Sequence, residues 1–500
     1  MTRPSEGGPA PEAGLPADPA DRAASASPSA GRAASASPSA GRVASASPSA
    51  GRVASASPSA GRVASASPSA GRVASASEHI ETPRLSRRAL LGGALGGLAL
   101  GGGAGALLGR ATAPETAPSS SSTDPDAVPD STAYEFYDQV HQGGIRTPPQ
   151  RHAIFASFDV TATTASDLQV LLARWSASIA QLQQGRALGA VEPTRSTGVP
   201  TDTGEAQDLG PHGLTVTVGL GPGIFDERFG LAARRPAELA ELPRLPSDQL
   251  RPGLTGGDLS LQACAEDPQV AYHAIRDLAR VARGKAAIRW TVMGFGRASA
   301  GPHQSTPRNL MGFKDGTRNI TTDEDYDAFV WHDGADQEWM VGGTYQVVRK
   351  IQMHIENWDT DYIADQHAVF GRTKLEGAPL TGAKEHDAPD FGATGPDGEP
   401  VIPPTSHVAL AAHENNGGLK ILRRSYNFTD GMAEDGQLDA GLLFIAYMND
   451  PAAFVTLQTR LGRVDQLNEY IAHVGSAVFA VPPAPRRGSY IGAALFSPVE

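Results

Sequence analysis

The sequence predicts an α+β protein made of two ferredoxin-like domains with antiparallel sheets. Two observations lead to this fold class. Between residues 150 and 293, alternating and helical hydrophobic patterns follow one another in the order β-α-β-β-α-β. Between residues 344 and 481 the same order recurs. This order is typical of the split β-α-β unit, in which helices cover one face of an antiparallel sheet.

The first half begins with QRHAIFASFDV, which alternates as a strand does. Apolar residues from Leu168 to Ile179 then recur at helical spacing. The predicted strands are Gln150–Val160, Gly213–Leu220, Asp258–Cys264 and Ala286–Met293, and the predicted helices are Ala165–Gln184 and Gln269–Arg283.

The second half repeats the order with less regular patterns. Its predicted strands are Thr344–Glu356, Gly418–Tyr426, Leu442–Met448 and Ala477–Val481, and its predicted helices lie near Thr360–Phe370 and from Ala452 to about Gly462. The segment Gly371–Pro404, rich in Gly, Pro and Asp, is predicted to be a long loop. Loops of this length are usually functional.

Residues 1–83 are predicted to be a disordered, low-complexity leader. From Arg22 to Gly71 the chain repeats the unit R-[A/V]-A-S-A-S-P-S-A-G five times, and a shortened sixth copy begins at Arg72. Small residues with one Pro and one Arg per unit bury too little apolar surface to offset chain entropy. The alternative is a start codon assigned too far upstream.

Residues 84–113 resemble a twin-arginine signal peptide. Ser86-Arg87-Arg88 precedes an uncharged run rich in Gly, Ala and Leu, and Ala111-Thr112-Ala113 has the pattern of a cleavage site. This pattern predicts export by the twin-arginine machinery to the periplasm, the cell surface or the medium, and an N-terminal membrane anchor is the alternative. Because this pathway carries folded proteins, the signal also suggests a cofactor. A linker at 114–133 and domains at 134–305 and 306–500 are predicted to follow.

Charge and cysteine content exclude several classes of protein. Residues 1–113 carry 11 Arg and 6 acidic residues, so 31 basic and 48 acidic residues remain after them. This acidic globular part lacks the positive field that a nucleic-acid binder needs. A single cysteine, Cys264, excludes an intrachain disulfide framework, a Cys-x-x-Cys-His haem attachment, an iron–sulfur cluster and a Cys-rich zinc site. Redox chemistry in this chain therefore needs other ligands.

Short motifs from about Tyr134 to the C-terminus carry a family resemblance. They include His141-Gln142-x-Gly144-Ile145, Gly256-Gly257-Asp258-Leu259, G-x-x-D-G at Gly312–Gly316, Phe370-Gly371-Arg372, Ser406-His407-Val408 and Leu422-Arg423-Arg424-Ser425-Tyr426. Together they resemble the dye-decolourising (DyP-type) haem peroxidases. Within that family, the export signal and the second half resemble the exported deferrochelatase/peroxidase branch associated with bacterial iron uptake.

The resemblance implies one non-covalent haem b per chain, held mainly by the C-terminal domain. It implies a peroxidase that uses hydrogen peroxide to oxidise bulky reducing substrates such as dyes. It also implies release of iron from haem, iron-uptake partners and assembly into a homo-oligomer. A haem carrier or chaperone without significant turnover is the alternative, and a third interpretation keeps the fold without haem.

His407 is the implied proximal ligand of the haem iron, because the family's ligand falls at this Ser-His-Val motif. A b-type haem without a covalent anchor needs a neutral imidazole on its iron. The rival histidines His386 and His413 lie in segments too polar for a dry iron pocket. Asp465 lies where related enzymes place an acid that accepts the other N–H of the ligand. For Asp465, a solvent-facing acid is the alternative.

Asp315 and Arg423 match the Asp and Arg that the family uses to cleave peroxide. Asp315 is the implied proton shuttle, and Arg423 is the implied cation beside the haem that stabilises the leaving oxygen. Ser425 is predicted to hydrogen-bond the peroxide. Since side chains alternate along a strand, Arg423 and Ser425 are predicted to share one face while Arg424 points away.

The family resemblance has two further implications at the haem and at the protein surface. Electron transfer to bulky substrates is expected through surface aromatic residues, and the candidates are Trp331, Trp339 and Tyr345. Cations are expected to pair with the haem propionates, and the candidates are Arg349, Arg372 and Lys374.

Overall fold

The computed structural model of the protein describes residues 125–497. The repeat leader at 1–83 and the predicted signal peptide at 84–113 lie outside the described residues. Within 125–497, the structure has no helix that is long and apolar enough to cross a membrane. Part of the predicted linker is described, and there Val128 is buried and the carbonyl of Thr132 accepts the Gly213 N–H at 2.8 Å. This segment therefore packs on the folded part of the chain.

The first half follows the predicted order of elements. These elements are β1 (His152–Val160), α1 (Ala165–Leu182), β2 (Thr215–Leu220), β3 (Leu259–Ala265), α2 (Pro268–Val281) and β4 (Ala286–Phe295). Capping side chains define both helix starts: Thr164 Oγ1 accepts the Asp167 N–H at 3.2 Å, and Asp267 precedes a proline at the first helical position. The strands lie in the order β2-β3-β1-β4, which is consistent with a split β-α-β unit.

The second half contains more elements than its sequence pattern predicts. Its strands are β5 (Thr344–Met353), β6 (Leu422–Arg423), β7 (Tyr426–Met432), β8 (Leu438–Met448) and β9 (Ile471–Val481). Its helices are α3 (Asp323–Phe329), α4 (Ile355–Trp358), α5 (Ile363–Phe370), α6 (His407–Ala411) and α7 (Ala452–Val464). The strand predicted at 418–426 is interrupted after Arg423, and β9 begins at Ile471 rather than Ala477. The order β7-β8-β5-β9 again suits a split β-α-β unit.

Both halves contribute to one nine-stranded antiparallel sheet. β2 pairs with β9 through Leu220 and Ala480, and β4 pairs with β7 through Gly294 and Phe428. β5 pairs with β8 as well as with β9, so the pairings run in a closed ring of eight strands, with β6 on β8 beside β7. The two sheets expected from the sequence are therefore joined edge to edge.

Ring closure explains why β1 is more deeply buried than its alternating pattern predicts. On one face, Ile154 and Phe158 pack in a cluster with side chains from α1 and α2. On the other face, Phe155 belongs to a second cluster that includes Cys264 and Phe479. Because neither face meets solvent, apolar residues occupy both faces of the strand.

Candidate active site

A large cavity lies in the second half, between the loop at 309–319, α6, α7 and the strands β5 and β8. It holds about 1720 Å³ of space that protein atoms do not fill, part of it open to solvent. Much of its wall is apolar, with Met311, Phe313, Ile351, Phe370, Leu442 and Phe444 among the lining residues. The wall also contains His407, Asp315, Arg423 and Asp465. An apolar cavity with a few converging polar groups is typical of a ligand or cofactor site.

His407 enters this cavity from the first turn of α6. Ser406 caps the helix, since its Oγ accepts the Ala409 N–H at 3.4 Å. Gly371 lies against this cap with φ of 77°, and a Cβ at this position would lie 2.8 Å from Ser406 Oγ. The motif glycine therefore permits the close approach that places His407. Phe370 packs edge-on against the imidazole at 6.2 Å between ring centroids.

Asp465 holds the imidazole of His407 through one ring nitrogen. Asp465 Oδ2 lies 2.7 Å from His407 Nδ1, and Asp465 Oδ1 accepts the Leu467 N–H at 2.9 Å in the turn after α7. Asp465 is buried at the C-terminal end of α7, and its carboxylate is directed at His407 and not at solvent. The carboxylate partner assigns the proton to Nδ1 and leaves the Nε2 lone pair available.

The charges around His407 make its imidazole more basic than an ordinary histidine. Burial lowers the pKa of His407, but the adjacent Asp465 carboxylate outweighs this effect and raises it above its ordinary value. About 32% of the side chain is accessible, and this surface faces the cavity. Among residues 125–497, Nε2 has no hydrogen-bond partner, so His407 presents a free nitrogen to the cavity.

Asp315 and Arg423 form an ion pair in the same wall. Arg423 Nη1 donates to Asp315 Oδ1 at 2.6 Å, and both side chains remain partly accessible. Asn309 positions the loop that carries Asp315: its Oδ1 accepts the N–H groups of Met311 and Phe313, and its Nδ2 donates to Asp315 Oδ2 at 3.3 Å. The structure thus brings together the acid and the cation that the sequence places 108 residues apart.

Asn319 fixes the backbone of Arg423. Its Oδ1 accepts the Arg423 N–H at 2.8 Å and its Nδ2 donates to the Arg423 carbonyl at 2.8 Å. The sequence analysis did not identify Asn309 or Asn319 as site residues, although both lie close to the Asp315-Gly316 pair. Their position beside this turn could have indicated the role, since Asn side chains commonly bond to nearby backbone groups in turns.

Arg424 and Ser425 lie in the interruption between β6 and β7. Arg424 is buried away from the cavity wall, where it donates to the carbonyl of Thr147 and, at 2.6 Å, to Gln150 Oε1. Ser425 is also buried and does not line the cavity, because its Oγ accepts the Ile445 N–H at 3.3 Å. The structure therefore groups His407, Asp465, Asp315 and Arg423, and it leaves Ser425 outside that group.

Three other histidines bear on the choice of ligand. His386 is exposed beside Glu385, and His413 lines the cavity with its Nδ1 3.0 Å from Glu414 Oε2. His473, which sequence reasoning missed, also lines the cavity and is buried. Its two ring nitrogens lie 3.3 Å from Arg349 Nε and 3.2 Å from Gln458 Nε2, so both are occupied. Burial and the Arg349 guanidinium lower the pKa of His473 to about 3.

The structure corrects the expectation of surface aromatic residues. Trp331, Trp339 and Tyr345 are all buried, because Trp331 stacks on His141 and the other two pack in the core beside α1 and α2. Of the three propionate candidates, Arg372 alone is among the residues that line the cavity. Arg349 pairs with Asp248 in the interior, and Lys374 donates to Gln366 Oε1 at 2.9 Å.

Comparisons with known proteins agree with this geometry. The sequence matches the families described as Dyp-type peroxidase, N-terminal, over residues 142–296 and Dyp-type peroxidase, C-terminal, over residues 306–486. It is 39% identical over 422 residues to a deferrochelatase of Escherichia coli (strain UTI89 / UPEC), covering 82% of this chain and 96% of that protein.

Two solved structures are similar to this chain over almost their whole length. An oxyferrous complex of DtpA from Streptomyces lividans is 38% identical with a TM-score of 0.68, covering 74% of this chain and 98% of that chain. A DyP-type peroxidase from Cellulomonas bogoriensis is also 38% identical with a TM-score of 0.68, covering 74% of this chain and 100% of that chain.

Proposed function

Because this chain belongs to the Dyp-type peroxidase family, whose members bind haem and react hydrogen peroxide with a reducing substrate, we propose that the cavity beside His407 is its active site. One observation carries this proposal: an imidazole nitrogen that has no hydrogen-bond partner among residues 125–497 faces a large apolar cavity that also contains an acid–cation pair. The haem-dependent enzyme needs an iron ligand, a proton carrier and a cation. The cavity wall supplies one of each.

The residues of the cavity fit a haem. Nε2 of His407 is free to bind iron, and the apolar wall suits the porphyrin. Arg372 suits a propionate, because it lines the cavity and its side chain is held in place there. Its Nη1 donates to the carbonyls of Gly377 and Glu385. Burial and the nearby Arg318 lower the pKa of Arg372, so an anionic group beside it would be stabilising.

The bound haem supplies the iron that reacts with peroxide and the redox chemistry that follows. The side chains of the protein orient the iron ligand and carry the proton. Asp465 accepts the Nδ1–H of His407, which raises the basicity of Nε2 toward iron. Asp315 would accept a proton from one oxygen of hydrogen peroxide at its carboxylate and return it to the other oxygen, which leaves as water. The Arg423 guanidinium, held beside Asp315, donates to that oxygen as negative charge develops.

The acid–cation pair also favours an enzyme over a haem carrier. A carrier needs an iron ligand and an apolar pocket, but it has no use for Asp315 and Arg423 in the cavity wall. The name of the relative from Escherichia coli supports a second activity, removal of iron from haem, for this chain as well. The reducing substrate is expected to be bulky, such as a dye.

The proposal extends to organisation and location. Two ferredoxin-like domains at 134–305 and 306–500 are supported by the two strand orders, and a haem held mainly by the second domain is supported by the position of the cavity. Export by the twin-arginine machinery, iron-uptake partners and a homo-oligomer rest on the signal-like segment and the family. Replacing Arg87 and Arg88 by lysine should abolish export, and unchanged export would contradict this part.

An absorbance spectrum followed by a peroxide titration tests the proposed function. The purified chain should show a Soret band of one haem per chain, and this band should change within seconds of adding one equivalent of hydrogen peroxide. A protein without a Soret band after growth with excess haem would contradict the site. A haem-loaded protein that does not respond to peroxide would indicate the carrier.

A further inference from the structure

A second cluster of ionisable side chains lies in the first half, away from the haem cavity. It joins α2 to the long connection between α1 and β2. His273 and Asp277 are four residues apart and share one face of α2, and Asp202 faces them from the connection. All three residues are buried, with exposed fractions of 5%, 1% and 1%.

Glu205 holds one ring nitrogen of His273. Glu205 Oε2 lies 2.9 Å from His273 Nδ1, and the same carboxylate accepts hydrogen bonds from Thr203 and Arg276. The other ring nitrogen, Nε2, points at Asp202 and Asp277.

The carboxylate of Asp277 has no hydrogen-bond partner within the described residues, at either oxygen. Its ionic contacts are long, with His273 Nε2 3.5 Å from Oδ2 and Arg280 Nη1 3.9 Å from Oδ1. Asp202, in contrast, accepts the N–H groups of Leu188 and Gly204, both at 2.8 Å. Buried carboxylates are normally paired, hydrogen-bonded or bound to a metal. Within the described residues, Asp277 therefore lacks the close hydrogen-bond partner that a buried carboxylate normally has.

We propose that His273 Nε2, Asp202 Oδ2 and Asp277 Oδ2 bind one divalent transition-metal ion, with Zn²⁺ as the best fit. Nε2 lies 3.5 Å from each of the two oxygens, and the three ligand atoms lie within 4.8 Å of one another. Two ligands bound to zinc at about 2.1 Å in tetrahedral geometry are separated by roughly 3.4 Å. A mixed nitrogen and oxygen donor set suits zinc, whereas Ca²⁺ and Mg²⁺ prefer oxygen ligands alone.

Glu205 completes the arrangement as the group that orients the metal ligand. A histidine that binds a metal usually donates its other N–H to a carboxylate, and His273 does so to Glu205. The ion would connect the 183–213 segment to α2 through Asp202. Its role is then structural, independent of the haem and of the proposed peroxidase reaction.

The test is zinc content against haem iron in the untagged holoenzyme. After dialysis against micromolar Zn²⁺, plasma mass spectrometry should find one zinc per haem iron in the wild type. Asp277→Asn and His273→Gln should lose this zinc, while Glu192→Gln, an exposed acid of the same connection, should keep it. EDTA should lower the melting temperature of the wild type by several degrees and should leave Asp277→Asn unchanged.

Two results would overturn the proposal. The first is a wild type with far less than one zinc per iron whose melting temperature ignores both Zn²⁺ and EDTA. The second is an Asp277→Asn variant that melts higher than the wild type without any effect of metal, since that would show a proton shared between Asp202 and Asp277. If Asp277→Asn does not fold, the wild-type zinc content and its response to EDTA still decide the question.

Discussion

The side chain of Asn319 binds both main-chain polar groups of Arg423, accepting from its N–H at 2.8 Å and donating to its carbonyl at 2.8 Å. β6 is only two residues long, and it ends at Arg423. Because β6 does not continue past Arg423, the side chain of Asn319 holds the main chain there. This keeps the guanidinium of Arg423 directed at Asp315.

Replacing Asn319 by alanine should weaken both the fold and the reaction. Two main-chain groups of Arg423 lose their partners, which costs about 1–3 kcal/mol of unfolding free energy, and the released guanidinium should slow the reaction with peroxide. Urea unfolding and stopped-flow absorbance measure the two effects. Asn449→Ala is the matched control, because Asn449 Nδ2 makes a single main-chain bond, to Ala328, away from the cavity. Wild-type kinetics in Asn319→Ala would contradict this positioning role.

His407→Ala should lose most of the haem, because His407 Nε2 is the protein–iron bond proposed here. The measurement is the ratio of Soret to protein absorbance after purification with added haem. His413→Ala and His386→Ala should retain haem, since His413 pairs with Glu414 and His386 is exposed. A full Soret band in His407→Ala, together with its loss in either control, would show that the histidine changed in that control binds the iron.

Arg423→Leu should slow the reaction with peroxide by roughly 10²- to 10³-fold, the usual effect of removing one preorganised donor from developing negative charge. Arg424→Leu, its neighbour, should slow that reaction little, because the Arg424 guanidinium is directed at Thr147 and Gln150. Stopped-flow mixing of each haem-loaded variant with peroxide compares the two. The reverse ranking would mean that Arg424, and not Arg423, is the cation that stabilises the leaving oxygen.

Asp315→Asn should cost roughly 10²- to 10⁴-fold in the same rate, because an amide cannot carry the proton between the two peroxide oxygens. Haem occupancy should remain high, since Asp315 does not bind the iron in this proposal. The Soret ratio and the stopped-flow rate separate the two properties. An Asp315→Asn enzyme with the wild-type rate would exclude Asp315 as the proton carrier.

His473 should make the protein less stable in acid. Its pKa in the folded protein is about 3, far below that of an exposed histidine, so the unfolded chain binds the proton first. The associated stability is present above the unfolded pKa, near 6.5, and is lost progressively as the pH falls toward 3, at about 1.4 kcal/mol per unit. Urea unfolding between pH 7 and pH 4 should show a steeper loss in wild type than in His473→Gln. Equal slopes would show that His473 is not buried in its neutral form.

Local patterns predicted the first half of the fold well. Helical spacing and alternation placed α1, α2 and β1 within a few residues, because these signals act between neighbours in the chain. The joining of the two halves through Leu220 and Ala480 depends on a contact between residues 260 positions apart, which no local pattern contains. For the same reason, Trp331 and Tyr345 were expected at the surface but are buried.

The site was predictable where a motif marks it. His407, Asp315 and Arg423 lie in short distinctive segments, and the structure brings them to one cavity. The partners that position these residues were harder to predict, because Asn309 and Asn319 act through backbone contacts. Ser425 shows a different limit: alternation assumes a continuous strand, and the chain leaves β6 before it reaches this residue. A role for Ser425 toward peroxide stays a prediction.

The closed ring of strands has a consequence for how the chain can be divided. β2 and β4 are the outer strands of the first half, and they pair with β9 at Leu220 and with β7 at Gly294 and Phe295. A first half made alone would present two uncovered strands, whose free N–H and C=O groups are templates for pairing with other copies. Separately expressed halves should therefore aggregate, and co-expressed halves should protect each other. In the intact chain, each half therefore pairs with the outer strands of the other and limits their pairing with other copies.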